Sequence, residues 1–169
     1  MATYTGATID GFEAYFVARG VERPATMTDP VVTAALLVAS EWIDSVYGPS
    51  FIGYKTGGFT QDREWPRTLA VVDTFPYFAF PIDEIPTQVI DAVYEAAWRH
   101  ATTPGSLLAD YTPAKYKSVS IEGAVSVEYA MFNSASEIQK SFPRIDQLLS
   151  DLLDNGKSTS SYSGAASRV

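Results

Sequence analysis

The most chemically suggestive stretch of the sequence is TQDREWPRTLA, at residues 60–70. It places Trp65 between two arginines, Arg63 and Arg67. Guanidinium groups bind phosphate through charge-assisted hydrogen bonds, and an indole ring can stack on a nucleic-acid base. The chemistry that these residue types could perform is therefore the binding of single-stranded nucleic acid.

A second group of the same kind, Lys115, Tyr116 and Lys117, would extend such a surface. It lies about fifty residues further along the chain, and nothing in the sequence brings the two groups together. A nucleic-acid interface built from both groups therefore stays one of two alternatives.

In the other alternative, Trp65 packs onto the helices and its two arginines pair with the nearby carboxylates of Asp62 and Glu64. The sequence favours this alternative over direct base stacking. We predict that DREWPRT is an anchoring turn, with Trp65 buried against the helical core or an adjacent subunit and Arg67 paired with a carboxylate.

The residue types needed for catalysis are scarce. There is no cysteine, which excludes thiol catalysis, disulfides and cysteine-ligated metals. Because the chain has only one histidine, His100, most metal sites and Ser-His mechanisms are excluded. We expect His100 to pack at a helix end. We therefore predict no enzyme activity, no catalytic residues, no cofactor and no metal.

Two weaker motifs have simpler explanations. GYKTGG lacks the glycine–lysine spacing of a phosphate loop and is expected to be a turn. The acidic pairs Asp83-Glu84 and Asp10/Glu13 fall where helix N-termini attract negative charge, so acid–base catalysis is not needed to explain them.

Composition predicts one folded domain with an acidic surface. Of 169 residues, 46% are hydrophobic and 13% aromatic, and 20 acids against 12 bases give a formal net charge of −8. An acidic surface repels nucleic acid. No apolar run approaches the length of a membrane span, and the N-terminus lacks a signal peptide, so we expect synthesis in the cytoplasm and no membrane partner.

Apolar spacing predicts about four helices. The first is capped by Thr8 and ends at Gly20, and the second has Asp29 as its cap and ends at Gly48. The third begins at Pro86, and the fourth begins at Pro143 and could end at Gly156. The apolar stripes of the four helices, in order, are Ile9, Phe12, Phe16, Val17; Val32, Leu36, Ala39, Ile43, Val46; Val89, Ile90, Val93, Ala97, with His100; and Ile145, Leu148, Leu149, Leu152.

Alternation at about residues 115–130 predicts a β-hairpin. A three-residue loop, 122–124, places Ile121 opposite Val125 and Val119 opposite Val127, which puts the apolar residues on one face; a two-residue turn does not. The predicted fold is mainly α with this hairpin: a small helical bundle in residues 1–154, a long projecting middle loop, and a flexible C-terminal tail at 155–169.

Six segments, taken in order, resemble a family of small tailed-bacteriophage proteins, the head–tail connector or adaptor proteins, some of which are described as DnaT-like and single-stranded-DNA-binding. The segments are FEAYFVARG, AALLVASEWIDSVYG, WPRT, IPTQVIDAVYEAAW, VSIEGAVSVEY and FPRIDQLLSDLL. Together they cover roughly residues 4–154.

The resemblance implies a structural virion protein at the head–tail junction. Its partners would be copies of itself in a ring, expected to be dodecameric, the portal protein, and a downstream tail or head-completion protein. DNA would pass through the ring without sequence-specific binding. A DnaT-like accessory protein that binds single-stranded DNA is the alternative function.

The chain departs from shorter family members in its aromatic VVDTFPYFAFPID segment and its serine-rich tail. Exposed rings on a loop are unfavourable for a solitary monomer, which makes this segment a candidate for contact between subunits. The predicted interface residues are Trp65, Arg67, Phe75, Tyr77, Phe78, Phe80 and Tyr162.

Overall fold

The structure is a computed structural model that describes residues 2–72, 78–107, 118–121, 125–128 and 142–154. These ranges contain four helices: α1 (Ile9–Val17), α2 (Asp29–Tyr47), α3 (Thr87–Thr102) and α4 (Pro143–Leu149). They also contain six short strands: β1 (Tyr54–Lys55), β2 (Arg67–Thr68), β3 (Val71–Val72), β4 (Phe78–Ala79), β5 (Ser118–Ile121) and β6 (Val125–Glu128). The strands form three separate antiparallel pairs, β1–β2, β3–β4 and β5–β6. The predicted mainly α fold with a β-hairpin is confirmed.

Helix α1 begins where the sequence predicts. The Thr8 side chain accepts a hydrogen bond from the Gly11 backbone N–H at 3.1 Å, as expected of an N-cap. The predicted buried position of Val17 is wrong, because Val17 is exposed and Tyr15 is buried instead. Phe12, Tyr15 and Phe16 form one i, i+3, i+4 stripe, and Val17 lies one position beyond it.

Helix α2 is the central helix of the bundle and packs mainly on α3. Its N-cap is Thr28, so the prediction of Asp29 is wrong by one residue; the Asp29 carboxylate instead pairs with Arg23 at 2.8 Å. Gly48 ends the helix as predicted and begins a short 3₁₀ turn, Gly48–Ser50. Its predicted stripe is buried, except that Val46 is only partly buried.

The segment Asp29–Ser50 is long and apolar enough, by length and composition, to cross a membrane. The expectation that no run approaches that length is therefore wrong. Half of the apolar window is buried inside the fold, which is the pattern of a core helix in a bundle.

Helices α3 and α4 close the bundle. The predicted α3 stripe is buried at Val89, Val93 and Ala97, while Ile90 and His100 are half-buried. Helix α4 is shorter than predicted because the chain tightens into a 3₁₀ turn at Ser150–Leu152, which still buries Leu152. The predicted end at Gly156 lies outside the described residues.

The chain after α4 is tied to the segment that follows α2. Phe51 and Leu153 form an antiparallel bridge. The Ile52 N–H donates to the Leu152 carbonyl at 3.0 Å, and the Asp154 N–H donates to the Ser50 carbonyl at 2.7 Å. This pairing fixes the start of the middle segment, residues 49–84, on the helical core.

The hairpin has the predicted register. Ile121 pairs with Val125 and Val119 pairs with Val127, which confirms the three-residue connection. The connection itself, 122–124, and the predicted tail at 155–169 lie outside the described residues.

Candidate functional site

The WPR turn, Trp65–Arg67, lies where the middle segment meets the helical core. Trp65 is 1% exposed. The Phe51 and Phe80 rings approach its indole at nearly right angles, with centroids 5.8 and 5.7 Å away. The peptide bond between Trp65 and Pro66 is cis. The predicted burial of Trp65 is confirmed, and its contacts are with its own chain.

Arg67 links the turn to the strand-like segment before β1. Its guanidinium makes five hydrogen bonds, as many as the group has N–H donors. Nη1 binds the Glu64 carboxylate at 2.7 Å, which confirms the predicted ion pair. The other short bonds go to backbone carbonyls, with Nε to Ile52 at 2.9 Å and Nη2 to Gly53 at 2.7 Å.

Arg63 connects the turn to α2 and to the N-terminal segment. Its Nη1 pairs with the Asp44 carboxylate at 3.0 Å, and its Nε donates to the Ala2 carbonyl. The expectation that both arginines pair with Asp62 and Glu64 is wrong for Arg63, because its side chain points inward to α2 and is 8% exposed. Tyr4 completes the network by donating its hydroxyl hydrogen bond to Asp44.

This network contains two ionisable groups with displaced pKa values. Burial raises the pKa of Asp44, although its hydrogen bonds from Tyr4 and Arg63 act in the opposite direction. Burial and the neighbouring Asp44 charge raise the pKa of Tyr4 far above its ordinary value. Both pKa shifts arise because the two groups are buried in a network that joins three separate parts of the chain.

An aromatic ladder runs outward from Trp65. The Phe80 ring contacts the indole, and the Phe78 ring contacts Phe80 with centroids 4.9 Å apart. Phe78 is 53% exposed, so the ladder ends at the surface. Of the other predicted interface residues, Phe75, Tyr77 and Tyr162 lie outside the described residues. The interface assignment stays a prediction.

The middle segment carries most of the exposed large apolar side chains of the described chain. Six of the nine such residues belong to it: Tyr54, Phe59, Leu69, Val71, Phe78 and Ile82. We call these six the apolar surface. Sequence reasoning found Phe78 but missed the other five. The segment is held together by β1–β2, by β3–β4 and by the Thr56 hydroxyl, which donates to the Ile82 carbonyl at 2.8 Å.

A family model described as "Putative DnaT-like ssDNA binding protein" matches residues 4–169. The chain belongs to this DnaT-like family. Comparisons with curated proteins and with solved structures give no match.

In this DnaT-like protein the WPR turn is not a free nucleic-acid site. The Trp65 indole is enclosed, the Arg67 donors are all used, and Arg63 is buried against α2. The Lys115–Lys117 group, the other half of the nucleic-acid alternative, lies outside the described residues. Any DNA contact in the described part of this family member must therefore use other side chains.

The described residues of the DnaT-like protein also contain no group of three His, Cys, Asp or Glu side chains that could hold a metal. A groove of about 640 Å³ in the described part is lined mostly by apolar groups of α2 and the N-terminal segment, including Ala2, Ala34 and Leu37. The one ionisable residue of that lining is Asp29, which is paired with Arg23.

Proposed function

We propose that the protein is a structural head–tail adaptor of a tailed-phage virion, and that its subunits assemble through the apolar surface of the middle segment. The observation that carries the proposal is the pairing of a buried anchor, Trp65, with an exposed ring, Phe78, through Phe80. The core thereby holds apolar groups in position at the surface.

Such a surface is expected to be covered by another chain. Large apolar side chains exposed together on one segment are candidates for association, since large apolar patches are uncommon on solitary monomers. Phe59 is fully exposed in the Gly-rich 3₁₀ turn Gly58–Thr60, and Tyr54 is 70% exposed on the adjacent β1. Rings on short strands and tight turns have little freedom to fold inward, which favours contact with a neighbouring subunit.

The charge of the chain agrees with a ring that DNA traverses. A net charge of −8 disfavours adhesion to phosphates, and repulsion at short range would let DNA slide. Under this proposal the partners are further copies of the chain in a ring, the portal protein, and a tail or head-completion protein. The ring would form at the head–tail junction of virions assembled in the host cytoplasm.

The assembly state tests the proposal. We expect electron microscopy of the protein mixed with purified portal protein to show rings, and sedimentation to show self-association. Phe59→Ser combined with Phe78→Ser should reduce both. Val17→Ser is the control, because Val17 is an apolar residue on α1, outside the middle segment, that is 62% exposed. A wild-type protein that stays monomeric alone and with portal would contradict the adaptor function.

A second candidate function is single-stranded DNA binding, and the family match favours it. It predicts that oligonucleotide affinity falls steeply as salt rises, because phosphate contacts release counterions. A labelled oligonucleotide titrated at low salt tests this function. If no binding is measured, this candidate is eliminated and the adaptor remains.

A further inference from the structure

Two arginines pair with one carboxylate, Glu95 on α3, and a third arginine is linked to it through Tyr15. Arg99 Nη1 lies 2.8 Å from Glu95 Oε2, and Arg144 Nε of α4 lies 3.7 Å from Glu95 Oε1. The third, Arg19, follows α1, and its guanidinium carbon lies 3.4 Å from the ring centroid of Tyr15. The Tyr15 hydroxyl donates to Glu95 Oε1 at 3.1 Å, which joins Arg19 to the others. We call Arg19, Arg99 and Arg144 the arginine face.

This convergence is unusual in so acidic a chain. The described ranges contain seven lysines and arginines, and three of them are in the arginine face. Arg63 and Arg67 are buried, whereas Arg144 is 47% exposed and Arg99 30% exposed at their side chains. Arg19 is exposed as well. The face is thus the main concentration of accessible positive charge in the described part of the protein.

The guanidinium groups are held in position with donors to spare. Arg19 Nη1 donates to the Tyr15 carbonyl at 2.7 Å, and Arg99 Nη1 donates to the Glu95 carbonyl at 2.6 Å. Arg19 lies over the Tyr15 ring, and Arg99 lies 5.4 Å from the Phe142 ring centroid. Rings of this kind fix the orientation of a guanidinium. Each group has five N–H donors, so these contacts leave several for a ligand.

We propose that the arginine face binds the phosphodiester backbone of DNA. The proposal rests on the second candidate function, single-stranded DNA binding, and supplies the site that the WPR turn cannot. The two non-bridging oxygens of a phosphodiester accept paired hydrogen bonds from an arginine fork, and successive phosphates along a strand can contact several arginines. Glu95 pairs with Arg99 and Arg144, so it competes with the phosphate for both, and the Asp91 carboxyl interacts with the charges of Arg19 and Arg144.

The test measures fluorescence anisotropy of a labelled single-stranded oligothymidine, and of a duplex of equal length, across a salt series. The double variant Arg19→Gln/Arg144→Gln should bind the oligothymidine about 25-fold more weakly than wild type near 0.1 M salt, as expected when two single-strand phosphate contacts are lost. The control Arg23→Gln/Lys55→Gln removes the same charge elsewhere and should keep most of the affinity. Glu95→Gln should strengthen binding about 5-fold, because a competitor for the arginines is removed.

The outcomes separate the site from the function. If wild type binds and Arg19→Gln/Arg144→Gln binds equally well, or the control loses as much, the arginine face is overturned while DNA binding stands. If wild type binds neither oligonucleotide, both the face and the second candidate function fail. Stronger binding of the single strand than of the duplex identifies single-stranded DNA as the source of the phosphates, and the reverse identifies duplex DNA. Either result supports the arginine face if the double variant loses affinity.

Discussion

The Trp65 indole and the Phe80 ring meet at 76°, with centroids 5.7 Å apart. Trp65 is almost fully buried, and Phe80 is partly buried against the core. Both residues belong to the middle segment, so the contact holds the end of its β3–β4 part against its buried turn. Edge-to-face pairs of this kind stabilise beyond the area they bury.

Trp65→Ala should lower the free energy of unfolding by about 3–5 kcal/mol, because it removes a large side chain from a packed core. Urea denaturation followed by circular dichroism measures the change. Phe78→Ala is the matched control: Phe78 belongs to the same ladder but is 53% exposed, and should cost about 1 kcal/mol or less. Equal losses in the two variants would show that Trp65 is not the anchor.

Arg67→Lys should also be strongly destabilising, although charge is conserved. A lysine ammonium has three donors at one point and cannot reach the Ile52 and Gly53 carbonyls while pairing with Glu64. Leaving buried carbonyls without partners should cost about 2–4 kcal/mol in the same urea experiment.

Lys55→Gln is the control for Arg67→Lys. Lys55 pairs with the same carboxylate, Glu64, at 2.9 Å, but its side chain is partly exposed. A partly solvated ion pair of this kind contributes about 1 kcal/mol or less. Should Lys55→Gln destabilise as much as Arg67→Lys, charge at Glu64 rather than the backbone bonds would explain the effect.

Local patterns were enough to predict the helices and the hairpin register. The Thr8 cap and the periodic stripe of α2 depend on residues only a few positions apart, and side-chain parity alone selects between hairpin loops. Arg67 was paired correctly for the same reason, since Glu64 is three residues away.

Long-range partners could not be predicted in this way. Arg63 pairs with Asp44, nineteen residues earlier on α2, and not with its neighbour Asp62, because its side chain points inward from the turn. The arginine face joins residues of α3 and α4 with Arg19, and no spacing in the sequence indicates their meeting. The two-residue strands β1 to β4 are likewise too short to show a period, so most of the apolar surface was missed.

Alkaline pH should weaken the fold through Tyr4. Its pKa is raised above the ordinary 10.0, first by burial and then by Asp44. Above about pH 10 the unfolded chain loses the phenol proton while the folded chain keeps it, so stability falls by about 1.4 kcal/mol per pH unit. Below that pH the contribution is constant.

Comparison with Tyr4→Phe isolates this contribution. At neutral pH the variant should be less stable than wild type, because the Asp44 carboxylate loses a hydrogen bond. The difference should narrow by about 1.4 kcal/mol for each unit above pH 10. Tyr54→Phe removes a phenol from an exposed site and serves as the control. A constant difference for Tyr4→Phe across that range would refute the coupling between Tyr4 ionisation and folding.

Gly11 should tolerate no side chain, although it lies inside α1. A Cβ at this position would fall 2.2 Å from the Tyr94 hydroxyl oxygen, which itself donates to the Gly6 carbonyl at 3.0 Å. Replacing an unhindered helical glycine by alanine stabilises a protein by about 0.5–1 kcal/mol. Gly11→Ala should instead lower the free energy of unfolding by about 1–3 kcal/mol, because the added methyl group overpacks this contact.

A double-mutant cycle assigns that loss to the contact. In a Tyr94→Phe background the hydroxyl is absent, and Gly11→Ala should cost at least 1 kcal/mol less than in wild type, an amount typical of coupled neighbours. Thermal or urea denaturation of the four proteins gives the coupling energy. Equal costs in the two backgrounds would mean that α1 is not held against α3 by this close approach.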